Sequence, residues 1–190
     1  MAKIDMRDVY VAQATRGSSG ITYASGRYLA DAISANLTPN VVSGEFYANG
    51  RLKHNPRRVT GATLEIVTDT IDESGQNLLL GHTTTSGEQI FNLDDRPNPV
   101  GIGFYTEDTG DETLDDGFFE ATVIQYVVFT DSPEADATYA GSFAFGTSTL
   151  TGNVEAAKDG QYMIKKRFDA STSGARSSAV AWIKSKLSIT

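Results

Sequence analysis

The side chains able to do acid–base or metal chemistry are few, and their spacing suits neither. There are two histidines, His54 and His82, and no cysteine, which excludes disulfides and thiolate metal sites. Neither histidine has a second nitrogen or sulfur ligand at metal-binding spacing. A lone histidine is far more often a packed or surface residue than a catalytic one. The acidic stretch TEDTGDETLDDG (106–117) suggests a calcium loop, which needs oxygen ligands at positions 1, 3 and 5 and glycine at 6. Starting at Asp111 puts Asp116 in the glycine position, and starting at Glu112 puts Leu114 at position 3, so the motif fails in both frames. A solvated acidic loop is the better reading. No phosphate-binding glycine loop, nucleophile elbow or zinc-protease motif occurs. Paired carboxylates in a loop without aromatic partners do not indicate a glycosidase. Neither an enzyme nor a cofactor site is expected.

The most distinctive polar feature is basic. Residues 47–58 read YANGRLKHNPRR, where Arg51, Lys53, Arg57 and Arg58 stand without an acid, in a chain of net charge −8. Charge is segregated along the sequence. Residues 1–96 hold 9 basic and 11 acidic side chains, residues 97–157 hold 11 acids and no base, and residues 158–190 hold 7 bases and 2 acids. Such blocks can attract copies of the same chain. The acids Asp108, Asp111, Glu112, Asp115 and Asp116 are the natural counterparts of the basic cluster. A nucleic-acid grip is less favoured, because RLKHNPRR has no interleaved aromatic residue for base stacking.

The elements that must position these groups are mostly strands. GATLEIVTDTID alternates Leu64 and Ile66 against Thr63 and Glu65. VGIGFYTED puts Val100, Ile102 and Phe104 on one face. FFEATVIQYVVFTD puts Phe119, Ala121, Val123, Val127 and Phe129 on one face and Phe118, Ile124, Tyr126 and Val128 on the other. Two apolar faces predict a strand that is covered on both sides or meets another subunit. GTSTLTGNVEAAKDGQYMIKKRFDA reads as a hairpin around Lys158, Asp159 and Gly160. Asn49-Gly50 is a turn at a strand end, and Pro56 is expected to keep the following stretch irregular. Gly20, Gly26, Gly61 and the Pro97–Pro99 pair are expected at turns. One short helix is expected in IDESGQNLLLGH, with an acidic first turn, Leu78–Leu80 and a stop at Gly81. Gly75 lowers its propensity by up to about 1 kcal/mol, so packing must help hold it. A second helix is expected in SSAVAWIKSKL from the spacing of Val180, Ile183 and Leu187.

At 190 residues, 39% hydrophobic and 21% charged, the chain suits one globular domain. Its opening MAKIDMRDVYVAQ lacks the apolar core of a secretory signal, and no run reaches the roughly 18–20 apolar residues of a membrane helix. No membrane partner is expected.

In order along the chain, RDVYVAQAT, GITYASGRYLADAISANLTPN, SGEFYANG, TGATLEIVTDTIDESGQNLLLGHTT and FNLDDRPNPVGIGFYTE resemble the major tail tube protein family of long-tailed, non-contractile bacteriophages. The likeness spans about residues 7–106, and the order of elements continues to about 168. The chain departs from the family's pattern at Gly75, in the acidic stretch 107–116 and beyond residue 170. The resemblance implies a mainly β fold, a tail-tube-type β-sandwich with one short α-helix, a long inter-strand loop and terminal arms. A single domain over 1–190 follows, with an N-terminal arm on a core to about 170 and a C-terminal arm over about 171–190.

The resemblance also implies a structural virion protein, made in the host cytoplasm, whose homohexameric rings stack head to tail into a conduit for DNA. Its partners would be its own copies and other tail proteins, such as the tape measure and the completion or terminator proteins, with DNA passing through the lumen without specific binding. The family's inter-subunit loop falls on about Asn49–Thr60, placing Asn49, Gly50, Arg51, Lys53, His54, Arg57 and Arg58 at a subunit contact. A conduit should not grip DNA, because each neutralised phosphate adds affinity, so a net-negative lumen is expected. The alternative is a β-sandwich binding or adhesin module for carbohydrate or a cell surface. Such a module would present an aromatic platform, and the single tryptophan, Trp182, falls in an expected helix.

Overall fold

Strands β1 (Lys3–Gly17) and β2 (Gly20–Ala30) form a long hairpin turned at Gly20, whose φ of 132° suits glycine. They begin an antiparallel sheet that continues through β9 (Pro99–Asp108), β10 (Phe118–Thr130), β11 (Ser148–Val154), β6 (Arg57–Thr68) and β3 (Ala32–Ser43) in the order β2-β1-β9-β10-β11-β6-β3. An eighth strand, β12 (Met163–Asp169), also pairs with β10. Two small hairpins complete the strands among the described residues: β4 (Phe46–Ala48) with β5 (Arg51–His54), and β7 (Thr83–Thr85) with β8 (Glu88–Ile90). This computed structural model describes residues 3–108, 117–130, 147–157 and 159–190.

The protein is mainly β, with two short helices among the described residues. One core joins Val9 and Val11 of β1 to Leu64 and Ile66 of β6, with Val100, Ile102, Ile124, Val127, Phe129 and Leu150 between them. Strand β3, at one end of the sheet order, approaches β1 near the other. The two-layer packing expected of a sandwich is therefore met by one sheet curling over on itself. From Lys3 onward the N-terminal segment is paired in the sheet, Lys3 opposite Asp108 of β9.

Strand β10 explains where the expected face assignments fail. Ile124 pairs with Ile102 but Val127 pairs with Val100, so β10 carries an extra residue there. This bulge reverses the alternation. Ala121 and Val123 point to the outer face, while Val127 and Phe129 join Ile124 in the core. The expected grouping of Val123 with Val127 and Phe129 is thus corrected. The expected 146–170 hairpin is corrected as well. Strands β11 and β12 do not pair with each other; β11 takes Val127–Thr130 and β12 takes Phe118–Ile124 along one edge of β10. Gly26 and Gly61 lie within β2 and β6 rather than at turns.

Helix α1 (Glu73–Leu80) forms where expected. The Asp72 side chain accepts from the Gly75 N–H, and Gly81 takes a left-handed φ of 80° at the C-cap. Gly75 is buried against Leu29, where a Cβ would lie 2.9 Å from Leu29 Cδ1, so packing requires the residue that propensity disfavours. Helix α2 (Ala175–Lys186) is also present, but not as an extended arm. Ala179, Ile183 and Leu187 bury against Tyr10, Ala12, Tyr105, Ala121 and Val123, covering the outer face of β1, β9 and β10. Both apolar faces of β10 are therefore occupied within one subunit over Ala121–Ile124.

Candidate assembly interface

The basic cluster sits on a β-ribbon that projects from the sheet. Strands β3 and β6 stay paired past the core, with Val41 opposite Val59, Val42 opposite Arg58 and Ser43 opposite Arg57. The Gly44 N–H then donates to the Pro56 carbonyl at 3.1 Å, leading into the β4–β5 hairpin. Asn49 (φ 54°) and Gly50 (φ 69°) make the expected turn, both left-handed as a two-residue hairpin turn requires. Pro56 does not hold the following stretch out of regular structure, because β6 begins at Arg57. Proline is tolerated there because it precedes the strand and supplies only its carbonyl. The inferred long loop is a regular arm spanning about residues 40–60.

Every residue from 41 to 60 except Ala48 is exposed. Six of these are large and apolar: Val41, Val42, Phe46, Tyr47, Leu52 and Val59, each 46–60% exposed. The sequence reading missed this feature. Its signal is present in the text as VV, FY, L and V around the basic residues, but exposure is decided by the distance of the ribbon from the core. Arg51, Lys53, Arg57 and Arg58 form no ion pair among the described residues. His54 stacks on Phe46 with ring centroids 6.4 Å apart. Pairing of β4 with β5 thus sets aromatic rings beside the cations, which the linear segment RLKHNPRR lacks.

Of the acids expected to meet this cluster, Asp111, Glu112, Asp115 and Asp116 lie outside the described residues. Asp108 departs from the expectation. It is only 6% exposed and ends β9 between Lys3 of β1 and Phe118 of β10, so it offers no surface charge.

A second polar centre lies around His82. Its Nδ1 is 2.9 Å from Asp95 Oδ2, and Asp95 also accepts from the Asn92 N–H at 2.8 Å. These bonds, the Asn92 N–H first, hold the Asp95 carboxyl below the usual carboxylate range. Phe91 packs over the His82 ring at 4.4 Å. The adjoining cavity of about 350 Å³ is lined by Leu80, Phe91, Asn92, Leu93 and Pro97 besides the pair, with no hydroxyl to serve as a nucleophile. The pair ties the 91–98 segment to α1, as do the Asn98 N–H and side-chain amide donating to the Leu79 and Leu78 carbonyls. Among the described residues no group of three His, Asp or Glu could hold a metal, and no helix is long and apolar enough to cross a membrane.

Comparison with protein-family models and with curated proteins finds no match to this chain. The geometry of the arm is the main guide to function.

Proposed function

We propose that this chain is a structural subunit that assembles with its own copies, as the major tail tube proteins of long-tailed, non-contractile phages do. In that reading, homohexameric rings stack head to tail into a virion conduit through which DNA leaves without being bound. The observation that carries the proposal is the arm: a regular β-ribbon displaying to solvent six large apolar side chains and four cations that have no ion-pair partner among the described residues. An exposed apolar surface of this kind marks a binding site for another macromolecule. A ribbon of fixed register suits a repeating contact, because its side chains are presented at set spacings. The charge balance agrees, with a basic arm on an acidic chain. Trp182 lies half-buried in α2 rather than on a strand or loop tip, which argues against the aromatic platform of a carbohydrate-binding module.

Negative-stain electron microscopy of the concentrated protein tests this. Tubes of uniform width are expected, with a bore that carries net negative charge. A monodisperse monomer at every concentration refutes the proposal. Replacing Arg57 and Arg58 by glutamate should impair assembly while leaving the circular dichroism spectrum unchanged.

One observation favours a second reading. Phe46, Tyr47 and His54 beside Arg51 and Lys53 form a basic-aromatic ribbon of the kind that stacks single-stranded nucleic acid. Salt-sensitive binding of a labelled oligonucleotide, lost in Tyr47→Ala, would support that reading. No binding near physiological salt would remove it.

A further inference from the structure

Among the described residues, large apolar side chains are exposed in one other concentration. Beyond the arm they are Tyr28, Ile33 and a compact trio at the end of β8, namely Ile90 (40%), Phe91 (55%) and Leu93 (108%). The trio is flanked by Glu88, Asp94 and Asp95, and residues 82–95 contain no Lys or Arg. The arm is apolar and basic; this tip is apolar and acidic.

The two surfaces lie at opposite poles. The arm leaves the β3–β6 ladder at the Ser43–Arg57 end, and α1 follows the Ala32–Thr68 end after four residues. At about 3.3 Å per residue, the eleven steps from Arg57 to Thr68 separate those ends by roughly 35 Å. The tip is fastened to α1 by the Asn98 bonds and by Gln89, whose amide donates to the Gln76 and Asn77 side chains at 3.1 Å. Nothing in this arrangement lets a subunit's arm reach its own tip.

We propose that the Glu88–Asp95 tip is the docking site for the arm of a second copy of this chain. Phe46 or Tyr47 enters the cavity of about 350 Å³ bounded by Phe91, Leu93 and Pro97, and Arg51 and Lys53 meet Glu88 and Asp94. An aromatic anchor in a preformed recess with charges at its rim is how compact interfaces gain most of their affinity. The His82–Asp95 tie and the Asn98 bonds hold the recess ready before binding, which lowers the cost of ordering it. Because donor and acceptor are different surfaces at opposite poles, the contact is heterologous and repeats from copy to copy without closing a dimer. This contact rests on the self-assembly reading above and supplies its acceptor.

The test uses the parent chain, an arm variant (Phe46→Asp with Tyr47→Asp) and a tip variant (Ile90→Asp with Leu93→Asp), each checked for folding by circular dichroism. Should Ile90→Asp disturb the β7–β8 hairpin, Leu93→Asp alone serves, since that side chain is fully exposed. In sedimentation velocity the parent is expected to assemble and each variant to remain monomeric, a weakening of roughly tenfold or more. Mixing the two variants should give a 1:1 dimer that grows no further, joining the intact arm of one to the intact tip of the other. A parent that stays monomeric overturns the tube reading and this contact together. An assembling parent whose tip variant assembles equally well, or variants whose mixture stays monomeric, overturns this contact alone.

Discussion

Replacing Gly103 by alanine puts a methyl group where α2 rests on the sheet. Gly103 lies on the outer face of β9, where an added Cβ would stand 2.5 Å from Ile183 Cγ2, 3.2 Å from Leu187 Cδ1 and 3.4 Å from Val123 Cγ2. The first distance is far inside van der Waals contact, and Ile183 is fully buried. Overpacking of this kind costs about 1–3 kcal/mol. The lower entropy of an unfolded chain carrying alanine offsets about 0.4–1 kcal/mol of that. A net loss of about 1–2 kcal/mol is expected. Ile183→Ala alone should cost about 2–5 kcal/mol through lost transfer energy and the cavity it leaves. That cavity removes the methyl group that Gly103→Ala would strike. In the Ile183→Ala background, Gly103→Ala should therefore cost little, giving a coupling of about 1–2 kcal/mol between two residues in direct contact. Urea unfolding of the four proteins measures it. An equal cost of Gly103→Ala in both backgrounds would refute the close approach of α2 to β9.

Gly75→Ala should destabilise the protein by about 1–2 kcal/mol although alanine is the better helix former, because the new Cβ would lie 2.8 Å from Asp72 Oδ1 and 2.9 Å from Ile71 and Leu29 side-chain carbons; a stabilised variant in thermal melts would show that propensity outweighs packing there. The carboxyl of Asp95 is held low by the Asn92 N–H and then by His82, so its contribution is complete above the ordinary carboxylate pKa of about 4 and is lost as pH falls through the lowered folded value. The stability gap between the parent and Asp95→Asn should shrink in acid below about pH 4; a gap unchanged down to pH 2 would be inconsistent with that tie. The Arg57→Glu and Arg58→Glu pair should impair assembly in the electron microscope without changing the unfolding free energy measured in urea by more than about 0.5 kcal/mol, as both side chains are exposed.

Much of the local structure could be read from residue types alone. Alternation of Leu64 and Ile66 gave β6 its buried face, the stop at Gly81 ended α1, and of the expected stripe of α2 Ile183 and Leu187 are buried while Val180 is half-buried. These features follow from backbone periodicity and cap chemistry, which a short window contains. The Asn49-Gly50 turn was legible for the same reason, since two left-handed residues in succession favour Asn-Gly. Of the arm, the sequence revealed the charges but not that six apolar neighbours share their exposure.

Tertiary structure decided the rest. The extra residue in β10 reverses its faces between Ile124 and Val127, and nothing in VIQYV marks a bulge, because both faces are apolar and either phase buries well. Strands β11 and β12 each pair with β10 instead of each other because β10 is long enough to offer both an edge, and strand partners are chosen across the sheet rather than along the chain. Exposure has the same character. Phe46 and Tyr47 are no less apolar than Phe104 and Tyr105, and only the distance of each strand from the core makes one pair a buried wall and the other a surface. The chain by itself marked β6, β9, β10, β11, β12 and both helices as elements and showed where charge accumulates. Which apolar side chains remain free to meet another molecule was settled only when the curled sheet had used the others.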